Sequence, residues 1–120
     1  MAYSKAGLVK STSRILSAAA STNATLAKND QGTLWHVTGY NAAAAARYLK
    51  FYDKASAPTV GTDTPILTFY LPAAAAFRLD WPKGRYFNAG IAYALTTAVT
   101  DADTGALTAG DVLALNVEYD

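Results

Sequence analysis

Apolar and polar side chains alternate with a period of two in run after run of this chain, and no stretch carries convincing helical periodicity. Successive side chains on a strand point to opposite faces, so each such run predicts a strand with one apolar side. The pattern is densest between Ala46 and Pro72, ARYLKFYDKASAPTVGTDTPILTFYLP, which holds two strand-like runs, Arg47 to Asp53 and Ile66 to Leu71. In the first, Leu49 and Phe51 share one face while Tyr48, Lys50 and Tyr52 share the other; in the second, Leu67, Phe69 and Leu71 fall together. The connection contains Pro58 and Pro65, which cannot donate a ladder hydrogen bond, and Gly61, which tolerates positive φ, so it reads as an ordered loop.

The remaining runs extend the same theme. Thr25 to Lys28 is a short strand, Asn29 to Gly32 has turn chemistry, and Thr33 to Tyr40 is a strand with Trp35 and Val37 inward and His36 and Thr38 outward. Gly39 marks a bulge or a close approach. Ala42 to Ala45 is good helix material but only about one turn long, too short to nucleate by itself, so it reads as loop or strand. Phe77, Leu79 and Trp81 alternate with Arg78 and Asp80; Pro82-Lys83-Gly84 then turns the chain into a short strand, Arg85 to Asn88, with Phe87 inward. The run Ile91 to Thr100 has no strongly polar face, which fits a strand that is central or covered by a partner. Asp101 to Gly110 reads as a loop, and in the last strand Leu113, Leu115, Val117 and Tyr119 point in while Ala114, Asn116 and Glu118 point out. Seven or eight short strands at this spacing predict an all-β, single-domain antiparallel β-sandwich or jelly-roll-like fold over residues 23–120.

Composition narrows the function. The 120 residues suffice for one core, and the absence of cysteine excludes disulfides, thiolate metal sites and a Cys nucleophile. With net charge +1 and scattered Lys and Arg, there is no basic footprint for nucleic acid. No apolar run approaches membrane-spanning length and no secretion signal is recognisable, so the chain is expected to stay in the cytoplasm where it is made, or to leave only inside an assembly. Charged residues make up 16% of the chain against roughly 25% in typical soluble domains, and apolar ones 52%. The excess is largely alanine, concentrated in Ala42 to Ala46 and Ala73 to Ala76; these runs either make flat surfaces that meet another subunit or fill loops and strand edges. Residues 1–22 are rich in Ser, Ala and Thr and carry isolated apolar residues at Leu8, Val9, Ile15 and Leu16. A tail, a first strand around Arg14 to Ser17, and an arm that orders against a neighbouring subunit are the three readings open; the arm is preferred.

Little here points to catalysis. His36 is the only histidine, so a His-based metal cluster is impossible and a nucleophilic triad would rest on that residue alone; no catalytic residue and no cofactor are expected. Asp101-Ala-Asp103-Thr-Gly105 followed by Asp111 weakly resembles a calcium loop, since carboxylates two apart can converge on a hard cation, but Gly105 stands where an oxygen ligand belongs and no Glu closes the loop. A solvated turn is the expected reading. Alternation assigns most aromatics to the core, leaving Tyr48 and Tyr52 beside Lys50 as interface candidates, with Tyr70 and Tyr86 as additions.

The combination YLKFYDKASAPTVGTDTPILTFYLPA, then Pro-Lys-Gly, then NAGIAYALTTAVTDADTGALTAGDV resembles a family of small structural proteins from tailed bacteriophages and prophages, over roughly Asn23 to Tyr119. The resemblance implies a virion component, foremost a capsid decoration (cement) protein whose β domain lies on the outside of the head and clamps neighbouring major capsid proteins, commonly as a homotrimer. A tail, neck or fibre component with a receptor- or carbohydrate-binding role is the alternative it leaves open.

Overall fold

The computed structural model describes residues 10–120. Their regular structure is entirely β: β1 (Ser11–Ser17), β2 (Thr25–Lys28), β3 (Gly32–Asn41), β4 (Arg47–Asp53), β5 (Leu67–Leu71), β6 (Ala75–Phe87), β7 (Ile91–Thr96) and β8 (Val112–Tyr119). Two four-stranded antiparallel sheets form, sheet A in the order β1-β8-β3-β6 and sheet B in the order β2-β7-β4-β5. Strands pair first with last and second with seventh, then third with sixth and fourth with fifth, which is the connectivity of a jelly roll. The expected sandwich is therefore present, with a strand order that alternation alone does not encode.

The core lies between the sheets and follows the alternation closely in sheet B. Leu49 and Phe51 of β4, Leu71 of β5, and Ile91, Tyr93 and Leu95 of β7 are buried there with Leu34, Val37, Phe87, Leu115 and Val117 of sheet A. Phe51 is the centre, its ring 5.9–6.4 Å from those of Phe69, Trp81, Phe87 and Tyr93 in tilted and edge-on arrangements. Asp53, at the end of the same strand, accepts hydrogen bonds from the backbone N–H groups of Asn88, Ala89 and Gly90 and so fixes the β6–β7 turn.

Sheet A departs from simple alternation where its strands bulge. Trp35 was expected inward, but it is the extra residue of a bulge: Leu34 pairs with Tyr119 and His36 with Glu118, two steps on β3 against one on β8. Leu34 and Val37, three apart, are consequently the buried residues, and the Trp35 indole donates to an Asp120 carboxylate oxygen at 3.1 Å. A second irregularity places Thr38 opposite Asn116 and Tyr40 opposite Leu113, and Ala114 there adopts φ 50°. That residue shifts the parity of β8, so Val112 and Leu115 are fully buried and Leu113 is not. Gly39 lies at this irregularity and also meets Phe77: a Cβ on it would come 2.5 Å from that ring. Pro82-Lys83-Gly84 does not reverse the chain either. β6 continues past it, with Asp80 opposite His36 and Arg85 opposite Leu34, so four residues bulge out of one strand.

The boundary expected at residue 22 also moves. Residues 11–17 form edge strand β1, in register with β8 from Ser11↔Tyr119 to Ser17↔Leu113, and Ile15 packs against the core. The reason is pairing, since β8 would otherwise present an open edge and supplies a full antiparallel ladder. Leu8 and Val9, expected as arm contacts, lie outside the described residues.

Candidate docking surface

Each strand reverses the direction of the one before it, so the connections β1–β2, β3–β4, β5–β6 and β7–β8 open at one end of the sandwich. Both alanine runs belong to this end, and backbone hydrogen bonds knit the four connections together. Ala74 N–H donates to Ala43 O at 3.0 Å, Ala42 N–H to Asp111 O at 2.7 Å and Gly110 N–H to Ala18 O at 2.8 Å. Asn41, fully buried, locks the arrangement, its side-chain amide donating to the carbonyls of Ala45, Leu71 and Pro72 while its oxygen accepts from Ala43 N–H. The methyl groups of Ala42, Ala44, Ala45, Ala73 and Ala109 are left at the surface.

Where the four connections meet, Arg47 and Asp111 face each other with Nε–Oδ2 2.9 Å and are only 15% and 11% exposed, while Asp101, exposed, and Asp103 lie farther along the β7–β8 connection, beside Lys50. Asp111 also accepts from Thr108 N–H, so the pair neutralises itself and braces the β7–β8 connection. Next to this alanine-rich patch, on the outer face of sheet A, the register brings Tyr40 beside Leu113 and Ala76, and Leu16 of β1 is 62% exposed. Charged groups collect toward the opposite end, where Lys28, Asp30, Asp53, Lys54, Lys83, Arg85 and Asp120 are found.

The other interface candidates separate into two groups. Tyr48 and Tyr70 meet edge-on at 5.8 Å on the outer face of sheet B, beside the free edge β5, with Tyr70 62% exposed. Lys50 and Tyr52 do point away from the core as the alternation predicts, yet both are buried. The chain covers them itself: Val60 of the β4–β5 connection packs against Tyr52, Ala92 and Ala94, and the β7–β8 connection lies over Lys50, whose Nζ donates to Thr100 O at 2.5 Å. Burial pushes the Lys50 ammonium below its ordinary pKa against the opposing pull of Asp103 and Asp101, and burial raises that of the Tyr52 hydroxyl, helped by Asp63 and Asp101. The same two loops account for β7, all six of whose residues are buried in a central strand without a second subunit.

Asp101, Asp103 and Asp111 do not converge. Asp103 accepts from Ala98 and Gly105 N–H and shapes its own loop, whereas Asp111 is engaged by Arg47. Among the described residues no group of three or more His, Cys, Asp or Glu side chains is placed to hold a metal ion. His36 lies in register between Asp80 and Glu118 on sheet A. Tyr40, Ile66 and Val99 are exposed apolar residues that the alternation did not single out; a strand-end position for the first and loop positions for the others were the available signals. No family model, curated protein or solved structure matches the chain.

Proposed function

We propose that this chain is a structural protein of a tailed-bacteriophage virion, a capsid decoration protein that acts by binding and not by catalysis. On this reading it seats its alanine-rich loop end on neighbouring major capsid subunits, as a homotrimer. The observation that supports the reading is the alanine-rich patch where the four connections are tied together, with its methyl groups exposed and the Arg47–Asp111 pair largely buried and satisfied. Exposed methyl groups carry no polar hydration to lose when covered, and small side chains give up little rotamer entropy on docking. The jelly roll is a fold used by viral capsid and lectin domains, and this enters as analogy alone.

The test uses undecorated heads mixed with the purified chain and pelleted. Wild-type protein is expected in the pellet, Ala44→Arg and Ala73→Glu are expected in the supernatant while melting as cooperatively as wild type, and His36→Ala should pellet normally. Charged variants that pellet like wild type, or antibody-gold on the tail of the source particle in place of the head, would overturn the proposal.

A further inference from the structure

The loop over Lys50 is built as a unit. Thr97 N–H donates to Gly105 O at 3.2 Å and closes a neck, Asp103 N–H donates to Thr100 O at 3.1 Å, and the Asp103 carboxylate accepts from Ala98 and Gly105 N–H at 3.1 Å each. Gly105 is required at the neck, because a Cβ there would collide with the Thr97 hydroxyl. A loop whose ends meet and whose bonds interlock in this way is a compact Ω-type element that forms and melts as a unit.

What lies beneath it is poorly matched to burial. Lys50 carries three ammonium donors, and its hydrogen bond in the structure goes to Thr100 O; the Tyr52 hydroxyl beside it is buried without a protein partner. The charged groups facing Lys50 are Asp101 and Asp103 from the loop; Asp63, of the β4–β5 connection, acts on Tyr52 and is itself held by Lys54 and Thr59 N–H. The two covering loops touch where Gly61, at φ 92°, approaches Thr104. Water would reach Lys50 if the loop opened, whereas Tyr52, Ala92 and Ala94 keep the cover of Val60 and Leu26.

We infer that residues 97–105 form a strap over the outer face of sheet B that opens and closes as one cooperative unit, its internal hydrogen bonds breaking together, with the hydration of Lys50 favouring the open form. The strap opens while both sheets stay intact, so its stability is local and lies well below that of the core.

Native-state hydrogen exchange by NMR on the full chain tests this. The amides of Thr97, Ala98, Asp103 and Gly105 are expected to exchange through one common opening insensitive to low urea, while those of Phe51 and Tyr93 exchange only with global unfolding. Asp103→Ala should raise exchange in the strap by about tenfold or more, through the two lost bonds, and leave Phe51 and Tyr93 unchanged. Lys50→Met, which removes the charge and keeps the bulk, should slow strap exchange. Strap amides that follow the urea dependence of Phe51, or a Lys50→Met variant whose strap exchanges faster, would overturn the inference.

Discussion

Truncating Phe51 to Ala is the sharpest test of how this sandwich is held together. The side chain is fully buried, and its ring touches four others contributed by β5, β6 and β7. A buried Phe→Ala change costs about 3–5 kcal/mol through lost transfer energy and the cavity left behind. Aromatic pairs add about 0.5–1.5 kcal/mol each beyond buried area, and since these four share one ring their contributions do not sum. The expected loss is therefore near 5 kcal/mol, against a total stability of about 5–15 kcal/mol for a domain of this kind. With a urea m-value of about 1–3 kcal/mol/M, the midpoint should fall by about 2 M or more. Phe51→Leu should recover roughly half of the loss by refilling the cavity, and Tyr70→Ala, at an exposed ring, should cost less than about 1 kcal/mol. A Phe51→Ala loss under about 2 kcal/mol at unchanged m-value would refute the placement of the core centre at this ring.

Two further outcomes follow from charged groups. The Asp53 carboxyl is pushed up by partial burial, but the N–H groups of Ala89, Asn88 and Gly90 and the charge of Arg85 outweigh this and hold it below its ordinary value of 3.8. A folded-state pKa below the unfolded one gives stability that is complete above the unfolded value and is lost as pH falls through the folded one. Asp53→Asn should thus flatten the acid limb of the stability–pH curve below about pH 5, and an unaltered limb in urea titrations at successive pH values would count against the turn-fixing role. Arg47→Met and Asp111→Asn should each cost about 2–4 kcal/mol by leaving one partner buried alone, with the double variant costing clearly less than the sum; additive midpoint shifts would show the pair is not coupled.

How far the sequence reaches is visible at individual residues. Alternation placed Leu49, Phe51, Phe69, Leu71, Phe77 and Leu79 correctly, because on a regular strand parity and face are the same thing. It failed at Trp35 and Leu113, where an inserted residue or one at φ 50° breaks that equivalence, and neither event has a local signature beyond the neighbouring Gly39. For Lys50 and Tyr52 the face was right and the exposure wrong, since parity reports which way a side chain points and says nothing about loops folded back over it. β1 was obscured for a related reason: its Ser-rich sequence is unremarkable alone and becomes a strand through a partner about a hundred residues away. The alanine runs were noticed as composition, while their assembly at one end depends on the jelly-roll connectivity, which no local pattern contains.

That connectivity also governs when the molecule can come into being. β8 is an interior strand of sheet A, flanked by β1 and β3, and it is the last of the eight to leave the ribosome. Until it emerges, β1 has no neighbour to pair with and β3 has only β6, so the nascent chain must carry its unpaired strands and their apolar residues exposed through nearly all of its synthesis. Pairings this distant in sequence form slowly, because the loop entropy is lost before the contacts repay it. A ribosome stalled just short of residue 112 should therefore hold a chain that proteases cut freely, and one stalled far enough beyond residue 120 for β8 to clear the exit tunnel should hold a resistant one.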